Sequence, residues 1–198
     1  MSKISKSERT REYIIENTAG IFNVKGYAGT SLSDLTEATK LTKGSIYGNF
    51  ENKEEVALAA FDHNWKTVQD IVKGEMAKKG TYMEKLLVYV STYDGFFKYP
   101  FPKGGCPILN TATESDDTHP ALRKRAAEAL VSWKNAIVQL VEKGITAGEI
   151  RSDVDAEQIA LTIMAMIEGI IMITKATGNT KYWHKVMLSV EKLIREMA

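Results

Sequence analysis

Apolar side chains recur at three- and four-residue intervals along almost the whole chain, and no stretch alternates long enough to predict a strand. The first helix is expected over Ser7 to Lys25, with Tyr13, Ile14, Ile15, Thr18, Ala19 and Phe22 on one side and Gly26 as its stop. Two short helices follow. Ser31 caps one, with Asp34 as capping-box partner and Leu32, Leu35 and Ala38 as the apolar stripe; Thr42 caps the other, in which Ile46 and Phe50 face inward. Asn52, with Glu55 three residues on, opens a long helix from Lys53 to about Lys79. Further helices are expected over Tyr82 to Phe97, Pro107 to Glu114, Pro120 to Lys143, Ala156 to Thr177 and Tyr182 to Met197. Pro100, Pro102, Gly104 and Gly105 break the chain between the helix ending at Phe97 and the short one beginning at Pro107. The pattern is that of an all-α chain of about nine helices.

The closely spaced pair over Thr30 to Lys53 reads as a helix-turn-helix. With Ile46 and Phe50 turned inward, Lys43, Gly44, Ser45, Tyr47 and Asn49 face out. That face suits a DNA major groove: Gly44 admits close backbone approach, Lys43 and Tyr47 reach phosphates or base edges, and Ser45 bonds either. Thr30 and Ser31 at the entry of the first helix, Thr42 at the entry of the second, and Lys53 just beyond complete the candidate contacts. Arg9 and Arg11 would oppose the dipole of the first helix, a conflict that a nearby phosphate would relieve.

Composition changes this picture little. The 198 residues are 44% hydrophobic and 26% charged, as in an ordinary folded soluble chain, and the formal charge is +1. Residues 1–53 carry eight basic side chains against six acidic, so any DNA footprint is small and depends on dimerisation for affinity. A single cysteine rules out an internal disulfide, and the polar, basic N-terminus has no secretory pattern, so a cytoplasmic location is expected. The apolar run Ile159 to Ile173 contains Thr162, Glu168 and Gly169, is too short for a bilayer, and reads as a buried helix with no membrane partner. His63, His119 and His184 lie on separate elements, and no metal-ligand spacing or phosphate loop occurs; no catalytic site, metal or cofactor is expected.

The helix from Ala156 to Thr177 is apolar on nearly all sides and needs more cover than its own chain normally gives. A second copy is the simplest cover, with Ile159, Ile163, Ile167 and Ile170 of this helix and Val186, Val190 and Leu193 of the last one at the interface of a four-helix bundle. Two-fold symmetry then pairs the two recognition helices with a palindromic operator.

The run Gly26-Tyr27, Thr30-Ser31-Leu32, Lys43-Gly44-Ser45-Ile46-Tyr47, Phe50 and Asn52-Lys53-Glu54-Glu55 resembles the TetR family of transcriptional regulators, specifically over Arg9 to Leu58 and architecturally beyond. Two positions depart from the family pattern. A turn glycine is replaced by Thr39 or Lys40, and a histidine before the aromatic is Asn49. The resemblance implies a helix-turn-helix domain over residues 1–52, a ligand-binding and dimerisation domain over 53–198, and a homodimeric repressor released from double-stranded DNA by a small molecule. Aromatic and Met side chains suit an apolar inducer, so Phe61, Trp65, Tyr89, Tyr93, Phe96, Trp133 and Met164 are candidate pocket residues, with Glu168 as a buried or pocket-facing carboxylate. Some members of the family respond to oxidants or electrophiles through a cysteine. Cys106, at a helix N-terminus beside two glycines, is either such a sensor, with Lys175 as a candidate cation, or a structural thiol. The competing expectation is a DNA-binding protein whose C-terminal half only dimerises or docks a protein.

Overall fold

The computed structural model describes residues 5–94 and 99–198, and every regular element among them is a helix. In order these are α1 (Lys6–Gly29), α2 (Leu32–Thr39), α3 (Lys43–Tyr47), α4 (Lys53–Met76), α5 (Tyr82–Asp94), α6 (Pro107–Ser115), α7 (Pro120–Thr146), α8 (Ala156–Thr177) and α9 (Lys181–Arg195). The expected extension of α5 through Phe97, and the pocket candidate Phe96, lie outside the described residues.

The helix boundaries follow local chemistry. α1 begins before the expected Ser7 because Ser5 is the cap: its hydroxyl accepts from the Glu8 amide at 3.1 Å, while the Glu8 carboxylate accepts from the Ser5 amide at 2.7 Å. Gly26, expected as the stop, is instead a kink at φ 72°, ψ 179°, after which one more turn runs to Gly29. Ser31 and Asp34 form the expected capping box on α2, and Asn52 Oδ1 accepts from the Glu55 amide at the start of α4. Pro107 takes the first turn of α6, and Asp155 caps α8 by accepting from the Glu157 and Gln158 amides, both at 3.0 Å.

The chain packs as two units, one of Met1–Thr67 with Pro102–Ala127, the other of Val68–Phe101 with Glu128–Ala198. In the first, Ile14, Phe22, Leu35, Ile46, Phe50 and Val56 share a core that Leu122 of α7 joins. Each such side chain contributes roughly 1.5–3 kcal/mol by leaving water. In the second, α9 packs against α5 and α8. Trp183, Met187, Val190 and Ile194 form the buried stripe of α9, and α8 buries Ile163, Met164, Ile167, Ile170 and Ile171.

This packing corrects two expectations. α8 runs to 22 residues and, taken whole, is long and apolar enough to cross a membrane by length and composition, which the shorter run Ile159 to Ile173 inside it does not show; its buried stripe packs against α9. Also, Ile163, Ile167, Ile170 and Val190 are at most 1% exposed within the single chain, so they cannot serve as a face awaiting a partner. Ile159, Val186 and Leu193 are half-buried. Where every side of a helix is apolar, periodicity does not say which stripe its own chain covers. The large apolar side chains left exposed on α8 and α9 are Leu161, Met172, Ile173, Tyr182 and Leu188.

Candidate nucleic-acid interface and effector region

α2 and α3 are joined by a turn of three residues whose geometry falls on Lys40, in the left-handed region at φ 55°. Thr39 stays helical and ties the turn: its hydroxyl donates to the Leu35 carbonyl at 2.7 Å and accepts from the Leu41 amide at 3.2 Å. The Tyr13 hydroxyl donates to the Thr39 carbonyl at 3.1 Å, closing the end of α2 from α1. Of the two residues considered for the turn, Lys40 therefore carries the positive φ.

Thr42 caps α3, accepting from the Ser45 amide at 3.2 Å. Ile46 is fully buried and Phe50 is 3% exposed. Thr42, Lys43 and Gly44 are exposed, while Ser45 and Tyr47 are half-buried, Tyr47 lying partly against the core of its unit. Gly44 has no internal reason to be glycine. A Cβ there would meet nothing nearer than Thr42 Oγ1 at 4.0 Å, and its φ is not positive. A glycine inside a helix costs about 1 kcal/mol relative to alanine, a cost that close approach of another molecule to this backbone would explain. Lys43 adds an exposed cation at a helix N-terminus, unfavourable alone and favourable beside a phosphate.

Three other candidate contacts turn inward. Thr30 is 1% exposed and its hydroxyl donates to the Gly26 carbonyl at 2.6 Å. The Lys53 ammonium donates to the Tyr27 and Thr30 carbonyls at 2.8 and 2.9 Å and lies 4.2 Å over the Tyr27 ring. Asn49 is half-buried; its side chain donates to the Ser45 carbonyl at 2.9 Å and accepts from the Ser7 hydroxyl at 3.0 Å. These replace the outward roles expected for the three side chains, since the backbone groups around them need internal partners. Ser31 is exposed, with its hydroxyl engaged by Asp34. The Lys25 ammonium and the Ser31 amide hold the Asp34 carboxyl down to about 2.

Arg9 and Arg11, equivalent in the sequence, separate. Arg9 is exposed. Arg11 donates to the Asn49 carbonyl and to Glu55, both at 2.6 Å, and stacks 4.0 Å over Phe50.

Periodicity also gave no sign of what holds α1 to the segment around α6. Asn23 donates to the Lys103 and Gly105 carbonyls at 2.6 and 2.9 Å, and Asn110 donates to the Gly104 and Asn23 carbonyls at 2.9 and 3.0 Å. The two carboxylate oxygens of Glu114 accept from the Tyr27 and Ala28 amides at 2.8 and 2.9 Å, capping the turn that follows the Gly26 kink. A Cβ on Gly26 would sit 2.4 Å from Glu114 Oε2, so the glycine is needed for space as well as for φ. His119 stacks edge-on to Tyr27 at 4.4 Å and reaches Glu54 at 3.3 Å. Apart from Asn110 and Gly104, six positions apart, these partners lie 65 to 92 positions apart in the chain, and only a fold shows them.

Among the effector candidates, Tyr89, Tyr93 and Trp133 come together: Trp133 lies 6.5 Å from each tyrosine ring, and Phe101 stacks on Tyr93 at 5.6 Å. Burial pushes the Tyr89 hydroxyl up, opposed by its hydrogen bond with Trp133, so it stays a neutral phenol. Met164 is 7% exposed and Glu168 is half-buried, both on α8. Phe61 belongs to the other unit, where it lines a cleft of about 20 Å³ with Phe22, Asn23, Tyr27, Asn64 and Glu114, room for one water. Trp65 is half-buried in that same unit. Cys106 is 6% exposed at the N-cap of α6, and Lys175 is exposed on α8.

Comparison with known proteins matches residues 14–60 to the family "Bacterial regulatory proteins, tetR family" and residues 83–190 to "Tetracyclin repressor-like, C-terminal domain". A transcriptional regulator of the TetR family from Cytophaga hutchinsonii is 55% identical, with 99% of this chain and 98% of that one covered at a TM-score of 0.93. A TetR regulator from Chloroflexus aurantiacus J-10-FL is 38% identical, with 98% of each chain covered and a TM-score of 0.91. The TetR-family regulator CifR, in a cysteine-substituted form complexed with 26-bp double-strand operator DNA, shares the fold at a TM-score of 0.77 and 20% identity, over 100% of this chain and 99% of that one.

Proposed function

Because the chain belongs to the TetR family of transcriptional regulators, we propose that it is a homodimeric repressor that grips a palindromic operator through α3 and is released by an effector bound in its C-terminal part. The observation that carries the DNA-reading half is the exposed Thr42-Lys43-Gly44 entry of α3, capped and seated on buried Ile46 and Phe50, with a glycine that the fold itself does not require. Lys43 and the α3 N-terminus meet phosphate, Gly44 brings the backbone close, and Ser45 and Tyr47 reach base edges. Functionally, residues 1–52 read DNA and residues 53–198 carry the effector and dimer surfaces, with α4 continuous from Lys53 to Met76. The DNA-bound relative in the same fold supports this reading.

Dimerisation uses the apolar side chains the single chain leaves exposed on α8 and α9, Leu161, Met172, Ile173 and Leu188 among them. The effector reading rests on the Tyr89, Tyr93 and Trp133 rings, whose faces suit a flat apolar or aromatic molecule. Burial of Cys106 favours this input over direct attack by an oxidant on the thiol. A protein that reads DNA by this route acts where the DNA is, in the cytoplasm, and needs neither a catalytic group nor a cofactor.

The test is a titration on the duplex that the wild-type protein selects from a randomised pool. Lys43→Ala and Tyr47→Ala should each weaken binding by about 1–3 kcal/mol at fixed salt with the dimer intact. Unchanged affinity in both variants would remove α3 from the interface.

A further inference from the structure

α3 spans five residues, far below the dozen or so that a helix needs to persist alone, so its direction is set from outside. Ile46 and Phe50 fix its depth on the core from one side only. Its far end is held by the first turns of α1. Arg11 spreads its guanidinium between the Asn49 carbonyl and the Glu55 carboxylate, 2.6 Å from each, with its central carbon 4.0 Å from the centre of the Phe50 ring. Ser7, on the same face one turn earlier, donates at 3.0 Å to Asn49, whose amide in turn bonds the Ser45 carbonyl inside α3. The Glu55 carboxylate also accepts from the Glu51 amide at 2.7 Å, and that amide followed by Arg11 lowers its pKa from the ordinary carboxylate value. The four side chains thus tie α1, the end of α3 and the start of α4 into one hydrogen-bonded group.

We infer that Arg11, with Ser7 acting through Asn49, is a positioning clamp that aims the recognition helix, so that base specificity depends on side chains that do not touch DNA. The inference rests on α3 being the reading element. An arginine bound at both prongs and stacked on a ring is not free to follow a phosphate, whereas losing the clamp lets α3 swing on its two apolar anchors and degrades base contacts more than phosphate contacts. Positioning, phosphate contact and plain stabilisation leave different signatures: a changed ratio of specific to non-specific affinity, a changed salt slope, and a changed melting temperature alone.

The experiment uses the full-length protein, the duplex that wild type selects from a randomised pool, and a scrambled duplex of equal length, titrated across salt. Arg11→Lys keeps the charge and loses the fork. It should cut the selected-to-scrambled affinity ratio by about tenfold, with the slope of log K against log salt unchanged on the scrambled duplex. Glu55→Gln should lower the ratio too, and the double variant should lose no more than the worse single one, as expected of residues in one network. Ser7→Ala, at an exposed position where folding is not at stake, should lower the ratio by roughly two- to fivefold. If Arg11→Lys fails to fold by circular dichroism, Ser7→Ala decides alone. An unchanged ratio in the folded variants overturns the inference. So does Arg11→Gln, which removes the charge, if its slope is shallower by about 0.9 with the ratio intact, which would make Arg11 a phosphate ligand. If α3 is not the reading element at all, Lys43→Ala and Tyr47→Ala will bind like wild type, an outcome separate from either.

Discussion

Lys40 shows how far one residue can be read. The sequence places a turn between Leu35 and Ile46 and notes that it lacks glycine, but it cannot choose between Thr39 and Lys40; the choice is made by the Thr39 hydroxyl, whose bonds to Leu35 and Leu41 keep that residue helical and push the positive φ onto Lys40. Left-handed backbone costs a residue with a Cβ about 1–2 kcal/mol, partly offset by the extra freedom glycine has when unfolded. Lys40→Gly should therefore stabilise the protein by roughly 0.5–1 kcal/mol, read as a higher denaturant midpoint at constant slope. A lower midpoint would mean that the Lys40 side chain contributes more than its backbone strain removes. The same limit applies to Thr30, Asn49 and Lys53. Their residue types suit DNA, and the backbone carbonyls and hydroxyl that occupy them come from residues 4 to 42 positions away. Ser31, Thr42, Lys43 and Gly44 were legible as exposed because each follows from a cap or from the inward side of its own helix.

At the scale of elements, caps and periodicity placed every described helix within a few residues of where it lies, and they misread the junction at Gly26. A glycine after an amphipathic helix ordinarily ends it. Here the Glu114 carboxylate supplies partners for the Tyr27 and Ala28 amides and the chain turns once more before Ser31. That makes the residues before α2 depend on α6. Glu114→Ala should cost about 1–3 kcal/mol, because two amides lose their acceptor at once. Gly26→Ala should cost at least as much, since it adds a clash 2.4 Å from Glu114 Oε2 to a forbidden φ. Combining the two should cost less than their sum, as the clash disappears with the carboxylate. Simple additivity in urea unfolding would show that the glycine acts through φ alone.

For the whole molecule, an all-helical DNA-reading chain that dimerises was legible from one motif and one over-apolar helix, but which stripe of that helix its own chain buries was not. Ile170 is 1% exposed and Leu161 and Leu188 about half exposed, so charges at these positions should act differently. Ile170→Lys buries an unpaired cation and should unfold the protein; Leu161→Lys and Leu188→Lys should leave helicity intact and yield folded monomers by sedimentation, with operator affinity lost to the missing avidity. Dimers that persist in both leucine variants would place the interface elsewhere. The central claim is that the outward side of α3 reads base sequence, and repeating the selection from a randomised pool with wild type, Lys43→Ala and Tyr47→Ala tests it most directly. The expected result is an inverted repeat for wild type and, for at least one variant, lost preference at the same one or two positions of both half-sites; an identical consensus from all three proteins would contradict the account.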